Sequence, residues 1–141
     1  MDNQIYPCLW FDNQAQSAAK FYCSVFSNSK ITDDNQMVVV FELNGTKFMG
    51  LNGGPQFKFN EAVSIVVDCE TQQEIDHYWQ SLTADGGSEG NCGWLKDKFG
   101  VSWQIVPTIL PKLLGDRERA PKVIEAYTRM KKFNIQELEN A

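Results

Sequence analysis

Several features that would place this chain of 141 residues in a large class of proteins are missing from it. There is one histidine, and the four cysteines include no Cys-x-x-Cys pair, which excludes zinc-ribbon and thioredoxin-type motifs. The 13 Lys and Arg are outnumbered by 18 Asp and Glu, and the net charge of −5 disfavours nucleic acid or an anionic membrane surface as a partner. The longest apolar run, residues 37–41, is far too short to span a membrane.

Export and disorder signals are also missing. The opening segment MDNQIYPCLWFDNQ has no basic stretch followed by a long apolar stretch, and so predicts no signal peptide. Reduced thiols are therefore favoured over disulfides, and we expect a cytoplasmic protein. Hydrophobic residues at 43% and charged residues at 22% are close to globular averages, which at this length predicts one folded domain.

The first part of the chain alternates between strand and helix patterns. Residues 5–11 are apolar and strand-like, and apolar residues at helical spacing follow over 15–26. Residues 37–43 and 46–51 predict two strands, joined by Asn44-Gly45, a strong hairpin signal.

The same order of patterns then recurs. Residues 62–68 predict a strand, and Thr71 and Glu74 have the spacing of a capping box that opens a helix. Residues 91–97 and 101–106 predict a hairpin that turns near Phe99-Gly100. The stretch from Gly45 to Phe48 matches the stretch from Gly100 to Trp103 at a spacing of 100 − 45 = 55 residues, which favours duplication of one unit.

The predicted fold is therefore α+β, with two tandem β-α-β-β-β modules and a C-terminal helical extension. We place module one at residues 1–56, module two at 57–107 and the extension at 108–141. In the extension, Val123, Tyr127 and Met130 form an apolar stripe, and Asn134 is suited to cap a last short helix.

Three segments carry a resemblance to a known family: PCLWFDNQAQSAAKFYCSVFSNSKI, FMGLNGGPQFKFNEAVSIVVDCET and CGWLKDKFGVSWQIVP, together with the tail KKFNIQELENA. In this order and spacing they resemble the PhnB-like branch of the vicinal oxygen chelate superfamily. That superfamily includes glyoxalase and bleomycin-resistance proteins, and the branch is often labelled 3-demethylubiquinone-9 3-methyltransferase. The resemblance implies a cup-shaped sheet and a homodimer.

The methyltransferase label can be compared with the sequence. Nucleotide-type methyl donors usually bind at a glycine-rich turn that leads from a strand into a helix. Here the first such turn is FDNQAQ, which has no glycine, and the stretches LNGGP and ADGGSEG do not lead from a strand into a helix. We therefore expect no methyl-donor site.

The resemblance also implies where a metal would be held, because metal-using members take His, Glu or Gln ligands from the first and fourth strands of each module. Side-chain alternation places Tyr6, Met49, Ala62 and Gln104 at these positions. Met is a poor ligand for hard divalent ions and Ala is no ligand. We therefore expect no bound catalytic metal and no cofactor, and we expect the single histidine, His77, to be exposed on its helix.

The remaining function is binding of a small, partly aromatic or apolar molecule in the cup. Its predicted lining is Tyr6, Cys8, Trp10, Met49, Ser64 and Gln104. A metal-assisted enzyme of the glyoxalase or dioxygenase type and a methyltransferase remain the alternatives. Cys8 is a candidate nucleophile, but no neighbouring cation or histidine would activate it, which favours a small buried thiol.

The segment between the modules contains two aromatic residues, Phe57 and Phe59. Two large apolar side chains are rare in a plain linker, so they predict either a lid over the cup or contact with a partner chain. Together with the apolar stripe of the extension, which we also expect to be exposed, they lead us to expect a homodimer in which the segment between the modules or the C-terminal helix touches the partner. Trp103 is expected to be buried against a helix.

Overall fold

The two sequence repeats fold into two separate units. The computed structural model describes residues 3–141, and the chain divides into unit 1 and unit 2 between Phe59 and Asn60. Among the described residues, no helix combines the length and the apolar character needed to cross a membrane.

Unit 1 is one helix on a four-stranded sheet. Its elements are β1 (Cys8–Phe11), α1 (Ala15–Val25), β2 (Ser29–Asp34), β3 (Val38–Leu43) and β4 (Thr46–Asn52). The strand order is β1-β4-β3-β2, with β1 parallel to β4 and the other pairs antiparallel. Small residues of α1 and Tyr22 are fully buried, because α1 packs on β3 and β4 of the sheet.

The hairpin predicted at Asn44-Gly45 is confirmed. Both residues have positive φ, 47° and 85°, as a two-residue turn between β3 and β4 requires. The first strand begins at Cys8 rather than at residue 5, because Pro7 has no N–H for the ladder and contributes only its carbonyl, 3.0 Å from the amide of Met49. The predicted β-α-β-β-β module requires one more strand, which the residue pattern did not locate: it is β2, an edge strand whose residues are mostly polar and exposed.

Unit 2 repeats this arrangement with strands β5 (Ser64–Cys69), β6 (Ser88–Glu89), β7 (Trp94–Lys96) and β8 (Ser102–Pro107) and helix α2 (Gln72–Thr83). The strand order is β5-β8-β7-β6, and β5 is parallel to β8. The capping box at α2 is confirmed, since Thr71 and Glu74 each accept a hydrogen bond from the other's backbone amide.

Two details of unit 2 correct the sequence prediction. The fifth strand starts at Ser64, and Ala62 lies in the preceding turn, where its amide donates to the Asn60 side chain at 2.9 Å. The position of the two-residue strand β6 was not predicted, although the β-α-β-β-β module requires a strand there, because it follows a glycine-rich segment with no alternating pattern.

The C-terminal residues of unit 2 form three short helices, α3 (Ile109–Leu114), α4 (Ala120–Tyr127) and α5 (Ile135–Glu139). The predicted cap at Asn134 is confirmed, because its side chain accepts from the amide of Glu137 at 3.0 Å. The predicted exposed stripe is wrong: Val123 and Met130 are buried. On α4, the large apolar side chain that is exposed is Ile124.

The core of unit 2 contains a buried polar group. Trp103 is 1% exposed and packs on the side of α2, which confirms its predicted burial. Its indole Nε1 donates to Oδ2 of Asp97 at 2.8 Å, and Asp97 is itself buried. The other carboxylate oxygen accepts from the amides of Phe99 and Val101, so this carboxylate holds the turn between β7 and β8.

Candidate functional site

The open face of the unit 1 sheet carries four of the predicted binding residues. In β1, Leu9 and Phe11 are buried toward the helix, so alternation turns Cys8 and Trp10 to the opposite face. Cys8 is paired with Met49 of the parallel strand β4, which places the two sulfur-containing side chains next to each other. On the N-terminal side of β1, the ammonium of Lys47 lies 4.1 Å from the ring centre of Tyr6.

Trp10 is the best-held aromatic side chain on this face. Its Nε1 donates to the carbonyl of Gly54 at 2.9 Å. The loop after β4 approaches so closely that a Cβ at Gly53 would lie 2.4 Å from the indole ring. The ring of Phe57 meets Trp10 edge to face, with centroids 5.0 Å apart.

The segment that joins the two units therefore folds back on unit 1. Phe59 packs edge to face on Phe11 at 5.3 Å, in addition to the contact of Phe57 with Trp10. Phe57 keeps 59% of its surface exposed. One side of Phe57 thus supports Trp10 and the other is open to a further contact.

Cys8 differs from the expectation of a small buried thiol, because it is exposed. It lies at the first position of β1, where the strand's open face is not covered by the helix. Desolvation raises the pKa of this thiol, so at neutral pH it is protonated and a weak nucleophile.

The open face of the unit 2 sheet carries the other two predicted residues. Nε2 of Gln104 donates to Oγ of Ser64 at 2.9 Å. Ser64 is paired with Ser102, whereas Gln104 is paired with Val66. In unit 1, Met49 is paired with Cys8, so Ser64 and not Ala62 is the structural counterpart of Tyr6. Equivalent residues of the two first strands are therefore two positions further apart in the sequence than the match of Tyr6 with Ala62 implied.

The donors on these faces do not fit a hard divalent metal. With Ser64 in place of the predicted Ala62, the residues at the ligand positions offer a phenol, a thioether, a hydroxyl and an amide, and such ions prefer carboxylate or imidazole ligands. Within residues 3–141, no three His, Cys, Asp or Glu side chains are grouped closely enough to hold a metal ion. His77 is exposed on α2, as predicted, away from the sheet face.

One cavity of unit 2 was not predicted. It has a volume of about 260 Å³, and its lining residues are Glu61, Ser88, Glu89, Gly90, Trp94, Leu95, Lys96 and Ser102. Side-chain alternation along β8 is enough to place Ser102 on the same face as Gln104. The cavity residues on β6 and β7 could not be predicted, because their position depends on how these strands pair.

Comparison with known proteins gives a consistent result. A family model described as 3-demethylubiquinone-9 3-methyltransferase matches residues 3–106. No curated protein matches the chain. The solved structure of a PhnB protein from Bacillus cereus is 31% identical, covers 75% of this chain and 100% of its own, and has a TM-score of 0.68.

More distant solved structures show the same fold. A glyoxalase-related enzyme from Fulvimarina pelagi is 14% identical over 75% of this chain and 88% of its own, with a TM-score of 0.56. The fosfomycin resistance protein FosX from Listeria monocytogenes, solved with Mn(II) and sulfate, is 12% identical over 83% of this chain and 98% of its own, with a TM-score of 0.59. At these identities the similarity establishes a glyoxalase/bleomycin-resistance fold and nothing about chemistry.

Proposed function

Since the chain belongs to the 3-demethylubiquinone-9 3-methyltransferase family, a PhnB-like branch of the vicinal oxygen chelate superfamily, we propose that it binds a small molecule without a catalytic metal. The ligand is partly aromatic or apolar, and the open sheet face of each unit is a candidate surface for it. The proposed binding residues are Tyr6, Cys8, Trp10 and Met49 of unit 1 and Ser64 and Gln104 of unit 2.

The observation that carries this proposal is the setting of Trp10. A half-buried indole held by a hydrogen bond to Gly54 and by the ring of Phe57 is a rigid apolar platform. Met49 and Cys8 extend the apolar surface beside it in unit 1. In unit 2, the Gln104–Ser64 pair offers a few oriented polar atoms on that unit's own open face. A mainly apolar surface with few polar groups is what small-molecule sites usually present.

The same residues give less support to the two enzymatic alternatives. A metal-assisted reaction of the glyoxalase or dioxygenase type needs hard-ion ligands, and a phenol, a thioether, a hydroxyl and an amide occupy the positions where these ligands would stand. A methyltransferase needs a site for the methyl donor, and the turn from β1 into α1 contains Asp12, Asn13 and Gln14 rather than glycine. The name of the family is therefore not taken as the activity of this chain.

The test begins with native mass spectrometry of the purified full chain. We expect a small-molecule adduct that is weakened in Trp10→Ala and retained in Tyr78→Ala, a matched loss of a half-buried aromatic ring on helix α2. Emission spectrometry should show no stoichiometric divalent metal, and calorimetry should show no heat with S-adenosylmethionine. Stoichiometric metal or binding of that methyl donor would replace the proposal with the corresponding enzyme.

We also propose that the protein is a homodimer in a reducing compartment such as the cytoplasm. Several large apolar side chains are exposed: Ile5, Met37, Phe57, Val63 and Val66. Surface of this kind often marks an interface. All four cysteines are free thiols, as a reducing compartment would keep them. Sedimentation velocity should show a species near twice 16.0 kDa, and a monomer at low micromolar concentration would disprove the dimer.

A further inference from the structure

The cavity of about 260 Å³ in unit 2 shares no lining residue with the ligand site proposed above. Strand pairing builds it, because Lys96 of β7 is the partner of both Ser88 on β6 and Ser102 on β8. Paired residues project from the same face of a sheet, so these three side chains form one row. Glu61, in the segment before β5, reaches this row and forms an ion pair with Lys96.

Ser102 is the reason to expect an occupant. Its residue surface is 1% exposed, and within residues 3–141 its hydroxyl is the buried side-chain polar atom that has no hydrogen-bond partner. Buried polar atoms are nearly always paired, because an unpaired one loses its hydration without compensation. On the paired strand β5, the hydroxyl of Ser64 has a hydrogen-bond partner within the protein, the side chain of Gln104. Since Ser102 lines the cavity, we expect its hydrogen-bond partner to be a molecule in the cavity.

The charges in the cavity form a pair. Lys96 is already bound to Glu61, and the hydrogen bond from Lys96 lowers the pKa of that carboxyl. Glu89 is the strand partner of Leu95, which is the partner of the buried Trp103, so the Glu89 carboxylate lies on the helix face of the sheet, where it accepts from the indole of Trp79 at 2.6 Å. A neutral ligand therefore fits the cavity better than a phosphate or an amine, which would have to compete with one partner of the ion pair.

The polar groups of the cavity can still form hydrogen bonds to a ligand, both as donors and as acceptors. A carboxylate has two oxygens that each accept more than one bond, an ammonium has three N–H groups, and a serine hydroxyl both donates and accepts. Hydroxyl groups on a ligand complement such a set because they also donate and accept. Trp94, half-buried on the wall, offers an apolar ring for the carbon skeleton of the ligand.

We propose that this cavity binds a small, neutral, polyhydroxylated molecule of the size of a monosaccharide, with one ligand hydroxyl paired to Oγ of Ser102. The site adjoins the unit 2 residues of the proposed function, because Ser102 is the strand partner of Ser64 and Trp94 is that of Gln104. It shares no residue with the unit 1 face around Trp10 that carries the proposed function, so Trp10→Ala distinguishes the two proposals.

The test is a titration of the ¹⁵N-labelled full chain in which NMR monitors the amide chemical shifts. The titrants are D-ribose, myo-inositol and glycerol, with inorganic phosphate and ethanolamine as the anionic and cationic comparisons. We expect saturable shifts at the amides of Gly90, Lys96 and Ser102 with at least one neutral polyol. Shifts confined to phosphate or to ethanolamine would overturn the ligand class, and no shift with any titrant would mean that only water fills the cavity.

Ser102→Ala provides the decisive variant, since it removes only the unpaired hydroxyl. We expect about tenfold weaker binding of the responsive polyol, the loss of one hydrogen bond, with a melting temperature that does not fall. Ser17→Ala, at an exposed position on α1, is the matched control and should leave the affinity unchanged. Unchanged affinity in Ser102→Ala would overturn the assignment. Because Trp10→Ala lies in the other unit, it should leave polyol binding intact even if the proposed function fails.

Discussion

Units 1 and 2 have the same sheet topology, but different interactions hold the turn of the hairpin in each unit. Both contain a four-stranded sheet of the same connectivity, with a parallel outer pair and a hairpin beside it. In unit 1 the hairpin is closed by two residues in left-handed conformation, Asn44 and Gly45. In unit 2 it is closed by a longer turn that is organised around the buried carboxylate of Asp97.

The difference extends into the core. Phe48 on β4 corresponds to Trp103 on β8, and Phe48 stacks on Phe41 with centroids 5.5 Å apart. Trp103 instead uses its indole N–H to bind Asp97. Unit 1 therefore stabilises its hairpin by turn geometry and apolar packing, and unit 2 by a hydrogen-bond network that ties turn and core together. The comparison teaches that a duplicated fold can keep its topology while exchanging the interactions that hold one connection.

Truncation of the two equivalent core residues gives the largest expected effects. Trp103→Ala should lower the free energy of unfolding by about 3–5 kcal/mol, since it opens a large cavity. It also leaves Oδ2 of Asp97 without its donor. Phe48→Ala should cost less, because it removes a smaller ring and no hydrogen bond. Urea unfolding of both variants measures the difference, and an unchanged midpoint for Trp103→Ala would contradict the packing of β8.

Removal of the turn carboxylate is expected to have the next largest effect. Asp97→Ala leaves two backbone amides and one indole N–H without their acceptor and should cost about 3 kcal/mol. Asn44→Ala, the matched change in unit 1, should cost only about 1 kcal/mol, from the left-handed backbone at that position. Equal losses in the two variants would mean that the turns are held in the same way after all.

The C-terminal helices add a second difference, because they belong to unit 2. Gln72 of α2 donates to the carbonyl of Phe133 at 2.9 Å and accepts from the amide of Ile135 at 2.8 Å. Gln72→Ala should cost about 1–2 kcal/mol and expose the backbone before α5. Hydrogen exchange at the amide of Ile135 reports this directly. The control is Gln73→Ala, a change at the exposed neighbouring position. Equal exchange at Ile135 in both variants would show that Gln72 does not hold the backbone before α5.

The sequence predicted the parts of the fold that depend on local signals. The turn at Asn44-Gly45, the capping box at Thr71 and Glu74 and the cap at Asn134 were all found, because each is encoded within four residues. The edge strands β2 and β6, which the predicted modules require, were not located in the sequence, since an edge strand needs only one pairing partner and its polar residues carry no clear alternation.

The same reasoning explains what could be predicted of the site. Alternation along β1 and β8 placed Trp10 and Gln104 on open sheet faces, because it requires only one strand. The cavity at Ser102 depends on how Lys96 pairs with its neighbours and on an ion pair with Glu61, contacts between residues far apart in the chain. The buried stripe of the extension was misread as exposed, since periodicity shows that a helix has an apolar face but not what covers it.

The smallest expected effect concerns metal binding, where the two units should behave alike. Gln104→Glu introduces the carboxylate that metal-using relatives of this fold would need, but the nearest polar partner of Gln104 in unit 2 is the hydroxyl of Ser64. Zinc requires about three or four nitrogen, sulfur or carboxylate ligands, so one new carboxylate cannot complete a site. Its counterpart position in unit 1 is Met49, beside a single thiol from Cys8.

Competition with a chromogenic chelator should therefore show no micromolar affinity for zinc in Gln104→Glu, and the same result in the unchanged protein. Micromolar zinc binding that appears only in the variant would show that further ligands stand close to residue 104. The metal argument would then be wrong, and unit 2 would have to be regarded as a metal site that has lost one ligand rather than as a binding surface built from Gln104 and Ser64.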